Sequence, residues 1–146
     1  MSNERLFLDT AFIQALLNPR DDYHNQAKQI FPRIRTASEV WITEAIFVEV
    51  GNALSAFNRN GAVQFIQQCQ RTDNIKIVNV DTELLMKALA LYQSRPDKTW
   101  GLTDCISFVV MQQHNLTDAV TGDRHFVQAG FRALMLNKQQ QGEEPQ

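Results

Sequence analysis

The stretch RLFLDTAFIQALL, residues 5–17, decides how the rest of the chain is interpreted. Its first part, RLFL, is a short apolar run, as expected of a strand buried on both faces. Asp9 and Thr10 follow at once, and AFIQALL then continues with helical spacing until Asn18 and Pro19. A buried strand that leads directly into a helix is typical of the start of a parallel α/β sheet.

The same alternation continues along the chain. Further short strands are predicted at VWI (40–42), IKIVNV (75–80), DAVTG (118–122) and RALML (132–136). Helices are predicted between them, at 21–34 with a break near Pro32, 43–57, 61–70, 82–94 and 101–114, with a helical turn at 123–128 and a loop at 95–101. Short apolar strands that alternate with helices predict a parallel sheet covered on both faces.

The length of 146 residues suits one domain with one core, predicted at residues 1–136, followed by a polar tail at 137–146. Hydrophobic residues make up 44% and charged residues 21%, as in soluble globular proteins. No apolar run approaches the ~20 residues that a membrane span needs. The first residues lack the basic segment and long apolar segment of a secretion signal.

Cys69 and Cys105 lie in apolar, helix-like contexts without metal-binding or redox spacing. They are therefore predicted to be reduced core thiols of a cytoplasmic protein. The net charge of -2 argues against a broadly basic nucleic-acid binder. It leaves open an enzyme that acts on nucleic acid, because an acidic metal site subtracts charge from the total.

Four carboxylates stand out by their positions in this pattern. Asp9 follows the first strand, and Asp123 follows the DAVTG strand. Asp104 lies in the first turn of GLTDCISFVVMQQH (101–114), a helix with an apolar body, and Glu49 lies at the edge of the apolar face of helix 43–57. Parallel sheets bind ligands beyond the carboxyl ends of their strands.

Each carboxylate also has an ordinary structural interpretation. Asp9 and Asp123 could be helix N-caps, and Asp104 could simply suit a helix N-terminus that Thr103 caps. Glu49 could lie on a solvated flank. Taken together, however, several unpaired carboxylates in one cleft would raise one another's pKa, and a divalent cation would remove that penalty. Oxygen ligands favour Mg²⁺ or Mn²⁺ over zinc.

Other chemistries are less well supported. No phosphate-binding glycine loop, nucleophile elbow or zinc-protease motif occurs in the sequence. His114 is predicted to end a helix and His125 to be packed or hydrogen-bonded. Glu44 is predicted to be a first-turn helix residue, with a share in the metal site as the alternative. Trp100 is expected to pack, with base stacking as the alternative.

Four segments in this order resemble the acidic motifs of PIN domains: LFLDTAF, TEAIFVEVGNAL, LTDCISFVVM and AVTGDRHF. The closest resemblance is to the small ribonuclease toxins of the VapC type, and it covers residues 5 to about 136. It implies a three-layer α/β/α fold with a central parallel sheet of four or five short strands.

The resemblance also implies an activity, the Mg²⁺- or Mn²⁺-dependent hydrolysis of RNA phosphodiester bonds. Asp9, Glu49, Asp104 and Asp123 match the four acidic positions of the family. Asp9 and Asp104 would be the main metal ligands, and Glu49 and Asp123 would complete the site or orient the water. Thr10 and Thr121 match the polar residues that accompany the first and fourth acids of the family. They would hydrogen-bond the carboxylates.

RNA and protein partners are implied as well. Arg124, Lys98 and Arg95 are candidates for guiding RNA phosphates, with an ordinary solvated charge as the alternative for each. The family implies a homodimer and an antitoxin protein that lays an amphipathic segment in a groove beside the active site. The apolar surface candidates for that groove are AFIQALL and the helices at 44–57 and 61–70.

Three other functions remain open from the sequence. The chain could be a PIN nuclease of RNA processing without a toxin role, or a non-catalytic binding module that keeps the acidic site. A phosphotransfer domain is the third alternative, since such domains place aspartates at strand ends. LDTAF, however, lacks the second Asp of the phosphatase pattern, and no lysine follows a late strand as it does in receiver domains.

Overall fold

The computed structural model describes residues 2–137 and 141, and its centre is a parallel sheet. The strands are β1 (Arg5–Leu8), β2 (Glu39–Thr43), β3 (Ile75–Val78), β4 (Asp118–Val120) and β5 (Arg132–Ala133). Their order across the sheet is β3-β2-β1-β4-β5, and each neighbouring pair is parallel. The strand that opens the chain is therefore the central one, with β2 and β4 on its two sides.

Helices connect and cover the strands of this sheet. They are α1 (Thr10–Leu17), α2 (His24–Thr36), α3 (Glu44–Leu54), α4 (Arg59–Arg71), α5 (Thr82–Ser94), α6 (Leu102–Gln113) and α7 (Arg124–Gln128). The predicted α/β fold with a central parallel sheet is confirmed, with five strands. No helix within residues 2–137 is long and apolar enough to cross a membrane.

The core lies around the central strand, as its apolar sequence predicts. Leu6, Phe7 and Leu8 are each at most 1% exposed. On one side of the sheet, the ring of Phe108 in α6 lies 5.0 Å from the rings of both Trp100 and Phe126, with edge-to-face geometry in each case. Such contacts join α6, α7 and the 95–101 loop into one packed unit.

The predicted break at Pro32 is wrong, because α2 continues through this residue to Thr36. A proline inside a helix lacks one backbone donor. Helix α2, however, buries Ala27, Ile30 and Ile34 along one face, on both sides of the proline. Tertiary packing of that face outweighs the lost backbone bond.

The ends of three strands also differ from the prediction. The predicted segments 75–80, 118–122 and 132–136 pair regularly only over the shorter ranges of β3, β4 and β5. Most of the predicted polar tail lies outside the described residues. Gln141 is described, and its side chain accepts a hydrogen bond from the Ala133 backbone N–H at 3.0 Å.

The two cysteines are free thiols, and both are buried. Burial raises the pKa of Cys69 to about 12 and that of Cys105 to about 11. Trp41 packs against His114 with a ring-centroid distance of 4.1 Å, and His114 ends α6 as predicted. These residues therefore belong to the framework of the fold.

Replacing Phe108 with alanine should destabilise the protein by about 3–5 kcal/mol, because the cavity would lie among three aromatic rings. Urea unfolding followed by circular dichroism measures this loss. Phe57→Ala is the matched control, because the Phe57 side chain is 57% exposed and its removal should cost less than about 1 kcal/mol. Equal losses in the two variants would contradict the assignment of Phe108 to the core.

Candidate active site

An open cleft of about 570 Å³ lies where the central strands end. Its lining is rich in carboxylates and contains all four acids that the sequence singles out. The lining residues are Asp9, Thr10, Ala11, Gln14, Glu49, Asn52, Ala53, Asp104 and Asp123. The parallel sheet therefore brings together side chains that are far apart in the sequence.

Asp9 and Thr121 meet because they follow adjacent parallel strands. Leu8 of β1 is in register with Val120 of β4, so the next residue of each strand emerges at the same edge. Thr121 Oγ1 donates a hydrogen bond of 2.7 Å to Asp9 Oδ2, and both residues are buried. Asp9 holds the N-cap position of α1, yet its side chain makes no N-cap hydrogen bond within the described chain. Helix capping therefore does not explain this aspartate.

Thr10 holds the second carboxylate of the cleft. Its Oγ1 donates a hydrogen bond of 2.7 Å to Glu49 Oε1. Glu49 itself is exposed, as the solvated-flank interpretation predicts, but it lies on the lining of the cleft. Glu44 does not belong to this cleft lining, since its Oε1 accepts a hydrogen bond from the backbone N–H of Val80.

Asp104 enters the cleft from the first turn of α6. The prediction that Thr103 caps this helix is wrong, because Gly101 occupies the N-cap position. Asp104 Oδ2 accepts a hydrogen bond of 3.1 Å from the Gly101 backbone N–H. Its carboxylate therefore satisfies a backbone donor at the helix start and at the same time lines the cleft.

Asp123 also combines two roles. Its Oδ1 accepts a hydrogen bond of 2.9 Å from the backbone N–H of His125, so it caps α7 as predicted, and it lines the cleft. Its own backbone N–H donates to Thr121 Oγ1 at 3.0 Å. Gly122, between these two residues, packs closely on Tyr23, because a Cβ there would lie 3.2 Å from the tyrosine ring.

The electrostatics of the cleft disfavour so many negative charges. Burial raises the pKa of Asp9 to about 7, and the nearby charges of Asp104 and Asp123 add to this effect. Burial and the charge of Asp123 likewise raise the pKa of Asp104. A bound divalent cation would offset both the cost of burying these charges and their mutual repulsion. The available ligand atoms are carboxylate oxygens, which Mg²⁺ and Mn²⁺ prefer. The residues present therefore fit such an ion.

His125 is hydrogen-bonded, as predicted, and one of its partners is an acid of the cleft. Its Nδ1 lies 2.9 Å from Asp104 Oδ2 and 3.4 Å from Asp123 Oδ1. Ligand atoms of these three residues all lie within 4.8 Å of one another. Asp123 lies two residues before His125 in the sequence, but nothing in the sequence pointed to Asp104 as a partner of His125. Gln14 and Asn52 of the cleft lining were also missed.

None of the three candidate RNA-contacting cations is among the residues that line the acidic cleft. Arg95 pairs with Asp97 at 2.9 Å and stands over the ring of Trp100 at 5.1 Å. Lys98 and Arg95 line a second open pocket beside the 95–101 loop, and Arg124 begins α7 directly after Asp123. Trp100 is only 6% exposed and donates a hydrogen bond to Gln128, which supports packing over base stacking.

Comparison with known proteins agrees with this geometry. The family model of the PIN domain matches residues 6–132. The chain belongs to the PIN domain family. No curated protein matches it significantly in sequence.

Several solved structures share the fold of this PIN domain. The toxin VapC20 of Mycobacterium tuberculosis, described as cleaving the sarcin-ricin loop, has a TM-score of 0.79 and 23% identity, over 87% of this chain and 96% of that one. FitAcB from Neisseria gonorrhoeae has a TM-score of 0.63 and 16% identity, over 88% and 95%. A toxin-antitoxin complex from Klebsiella pneumoniae has a TM-score of 0.56 and 20% identity, over 83% and 88%.

Replacing Asp9 with asparagine should stabilise the metal-free PIN domain near pH 8. Asparagine retains an acceptor for Thr121 and removes the buried charge. The free energy of unfolding should rise by at most about 4 kcal/mol. Burial raises the pKa of Asp9 from 3.8 to about 7, and each pKa unit is worth about 1.4 kcal/mol. Thermal unfolding in EDTA measures it, and Asp97→Asn is the control, because the Asp97 carboxyl lies exposed beside Arg95 and its pKa is lowered.

The difference in stability between Asp9→Asn and the parent protein should increase with pH. Burial holds the pKa of Asp9 at about 7 in the folded protein, whereas the unfolded chain loses this proton near the ordinary pKa of 3.8. Between these values the folded state binds more protons, so the contribution of Asp9 to stability falls as pH rises. The advantage of Asp9→Asn should grow from about pH 4 and level off above about pH 7. An advantage that is constant with pH would contradict burial of this charge.

Proposed function

We propose that this PIN domain is a Mg²⁺- or Mn²⁺-dependent ribonuclease and the toxin of a toxin–antitoxin pair. The observation that carries the proposal is the convergence of Asp9, Asp104, Asp123 and Glu49 on one open cleft. A buried carboxylate beside other carboxylates is unfavourable without a cation. An arrangement of this kind suits an enzyme that uses a divalent ion on a phosphate ester.

Asp9 and Asp104 are proposed as the main metal ligands, with Asp123 and Glu49 completing the set. Such an ion, when bound, lowers the pKa of a coordinated water and offsets charge that develops on the phosphate and the leaving oxygen. Thr121 holds Asp9 in one orientation, and Thr10 does the same for Glu49. Both threonines act as fixed donors to the carboxylates, which keeps the oxygens in place for a ligand.

The shape of the cleft supports a polymeric substrate. It is open and polar, and Gln14 and Asn52 offer amide groups beside the acids. Glu49 stands exposed at its edge, where it can orient a water molecule. RNA is proposed as the substrate on the family relationship, and the VapC20 structure, described as a toxin that cleaves the sarcin-ricin loop, is consistent with this. The proposed place of action is the cytoplasm.

An apolar groove supports the proposal of an antitoxin partner. It has a volume of about 460 Å³ and lies between α1, α2 and α4. Its apolar lining includes Phe12, Leu16, Phe31 and Phe65. Two of the three surface candidates from the sequence, α1 and α4, thus face one groove that suits an amphipathic segment. A homodimer is proposed from the family relationship alone, and light scattering of the purified protein tests it.

Purified protein should cleave single-stranded RNA in Mg²⁺ or Mn²⁺ and lose this activity in EDTA. Asp104→Asn should reduce the rate by at least about 100-fold, equivalent to about 3 kcal/mol of transition-state stabilisation. Asp118→Asn is the matched control, because Asp118 belongs to β4 and is absent from the cleft lining. It should remain as active as the parent protein.

The outcomes separate the proposed function from its alternatives. Unchanged cleavage by Asp104→Asn would place the activity in a contaminant or at another site. Metal binding by the parent protein without cleavage of any RNA tested would favour the binding module. Cleavage in vitro without any effect on growth would favour an RNA-processing role.

Expression of the parent chain in bacteria should arrest growth, and Asp104→Asn should not. Co-expression of the cognate antitoxin should restore growth. Phe65→Glu should keep the toxicity but weaken the rescue, because a charge in the apolar groove opposes burial of an amphipathic segment. Val63→Glu, on the same helix and 47% exposed outside the groove lining, is the control and should be rescued fully. Full rescue of both variants would exclude this groove as the antitoxin site.

A further inference from the structure

His125 is held from both sides in the first turn of α7. Its Nδ1 lies 2.9 Å from Asp104 Oδ2, and its Nε2 lies 3.2 Å from Thr99 Oγ1. Its side chain is 27% exposed. The two contacts fix the plane of the imidazole between the 95–101 loop and the acidic cleft.

The direction of the bond to Asp104 follows from chemistry. An ionised carboxylate can only accept hydrogen bonds, so His125 Nδ1 carries the hydrogen and donates it. Nε2 is then the atom that meets the hydroxyl of Thr99. This assignment holds whether or not the ring carries a second proton, because Nδ1 is the donor in both forms.

The two oxygens of Asp104 are left in different environments. Oδ2 accepts from both the Gly101 backbone N–H, at 3.1 Å, and His125 Nδ1, at 2.9 Å. Among the described residues, none donates a hydrogen bond to Oδ1. Two donors on one oxygen fix the rotation of the carboxylate, and the other oxygen remains for a ligand in the cleft.

We propose that His125 is a positioning residue of the metal site, which holds Asp104 in its ligating orientation by donating Nδ1–H to Oδ2, with Thr99 fixing the ring from the opposite side. This inference rests on the proposed metal-dependent function and deepens it. Donors that hold ligating groups in place commonly contribute about 10- to 100-fold to metal affinity.

A direct role of His125 as a metal ligand is the competing interpretation, since its ring nitrogen lies near two carboxylates. The nitrogen nearest the carboxylates is the one that carries the donated hydrogen, so it has no lone pair for a metal. Nε2 has a lone pair in the neutral ring, but it meets Thr99 instead. The geometry therefore favours support of Asp104 over coordination.

Three substitutions of His125 distinguish support of Asp104 from metal coordination, because they differ in where they leave a hydrogen-bond donor. The side-chain N–H of asparagine can lie near the place of Nδ1, whereas that of glutamine lies nearer the place of Nε2. We expect His125→Asn to bind Mn²⁺ within about 3-fold of the parent protein, and His125→Ala and His125→Gln to bind about 10- to 100-fold more weakly. Mn²⁺ affinity is measured by titration with detection of the free ion by EPR, and thermal unfolding in EDTA verifies that each variant is folded.

A second measurement uses the unmodified protein. Pulsed EPR of the Mn²⁺ complex, with and without ¹⁵N-labelled histidine, should show no directly coordinated imidazole nitrogen. A coupling typical of a bound imidazole would overturn the proposal. Unchanged Mn²⁺ affinity in His125→Ala, or rescue by glutamine as complete as by asparagine, would overturn it as well.

The design also separates this inference from the proposed function. A parent protein that binds no Mn²⁺ overturns both. A parent protein that binds Mn²⁺ and cleaves RNA, with all His125 variants equal to it in affinity, overturns the positioning role alone. If the parent binds Mn²⁺ without cleaving RNA and the His125 variants differ as expected, the positioning role stands and the ribonuclease proposal fails.

Discussion

Burial of the Asp9 carboxylate at the end of the central strand is the constraint on which the rest of the site depends. Strand β1 has neighbours on both sides, so the residue that follows it is covered, and Asp9 is only 5% exposed. A buried carboxylate needs hydrogen bonds and a compensating positive charge. Thr121 supplies a hydrogen bond, but none of the described residues that line the cleft is basic. A proton takes the place of that charge up to the raised pKa of about 7, and above it the cleft favours a bound cation.

Neutral hydroxyl groups, rather than positively charged side chains, hold the carboxylates of Asp9 and Glu49 in place. Thr121 and Thr10 each donate from a hydroxyl at 2.7 Å, to Asp9 and Glu49 respectively. An arginine would also hold a carboxylate, but it would neutralise the negative charge of the cleft. Hydroxyl donors fix the geometry and leave the site negative. Asp9 and Thr10 are adjacent in sequence. The two residues that follow the central strand therefore position both acids, Asp9 directly and Glu49 through its hydrogen bond from Thr10.

The sequence predicted the fold well because its strands are short, apolar and separated by helices. The register of parallel strands then placed Asp9 beside Thr121, and the position of Asp104 in a helical first turn was also read correctly. The contact between His125 and Asp104 could not be predicted, since it depends on how α6 and α7 pack. Gly101 as N-cap in place of Thr103 was missed because glycine offers no capping side chain to recognise. The continuation of α2 through Pro32 depends on the packing of its buried face, and the helix propensity of the local sequence carries no information about that packing.

Helix α1 connects the acidic cleft with the apolar groove. Thr10 and Gln14 line the cleft, whereas Phe12 and Leu16 line the groove. Positions two apart are separated by roughly 200° around a helix of 3.6 residues per turn, so the two pairs lie on opposite faces. A protein segment confined to the groove would leave the carboxylates open to substrate. If the proposed antitoxin blocks the proposed activity from this groove, it must therefore either extend around the start of α1 into the cleft or shift the helix that carries Thr10.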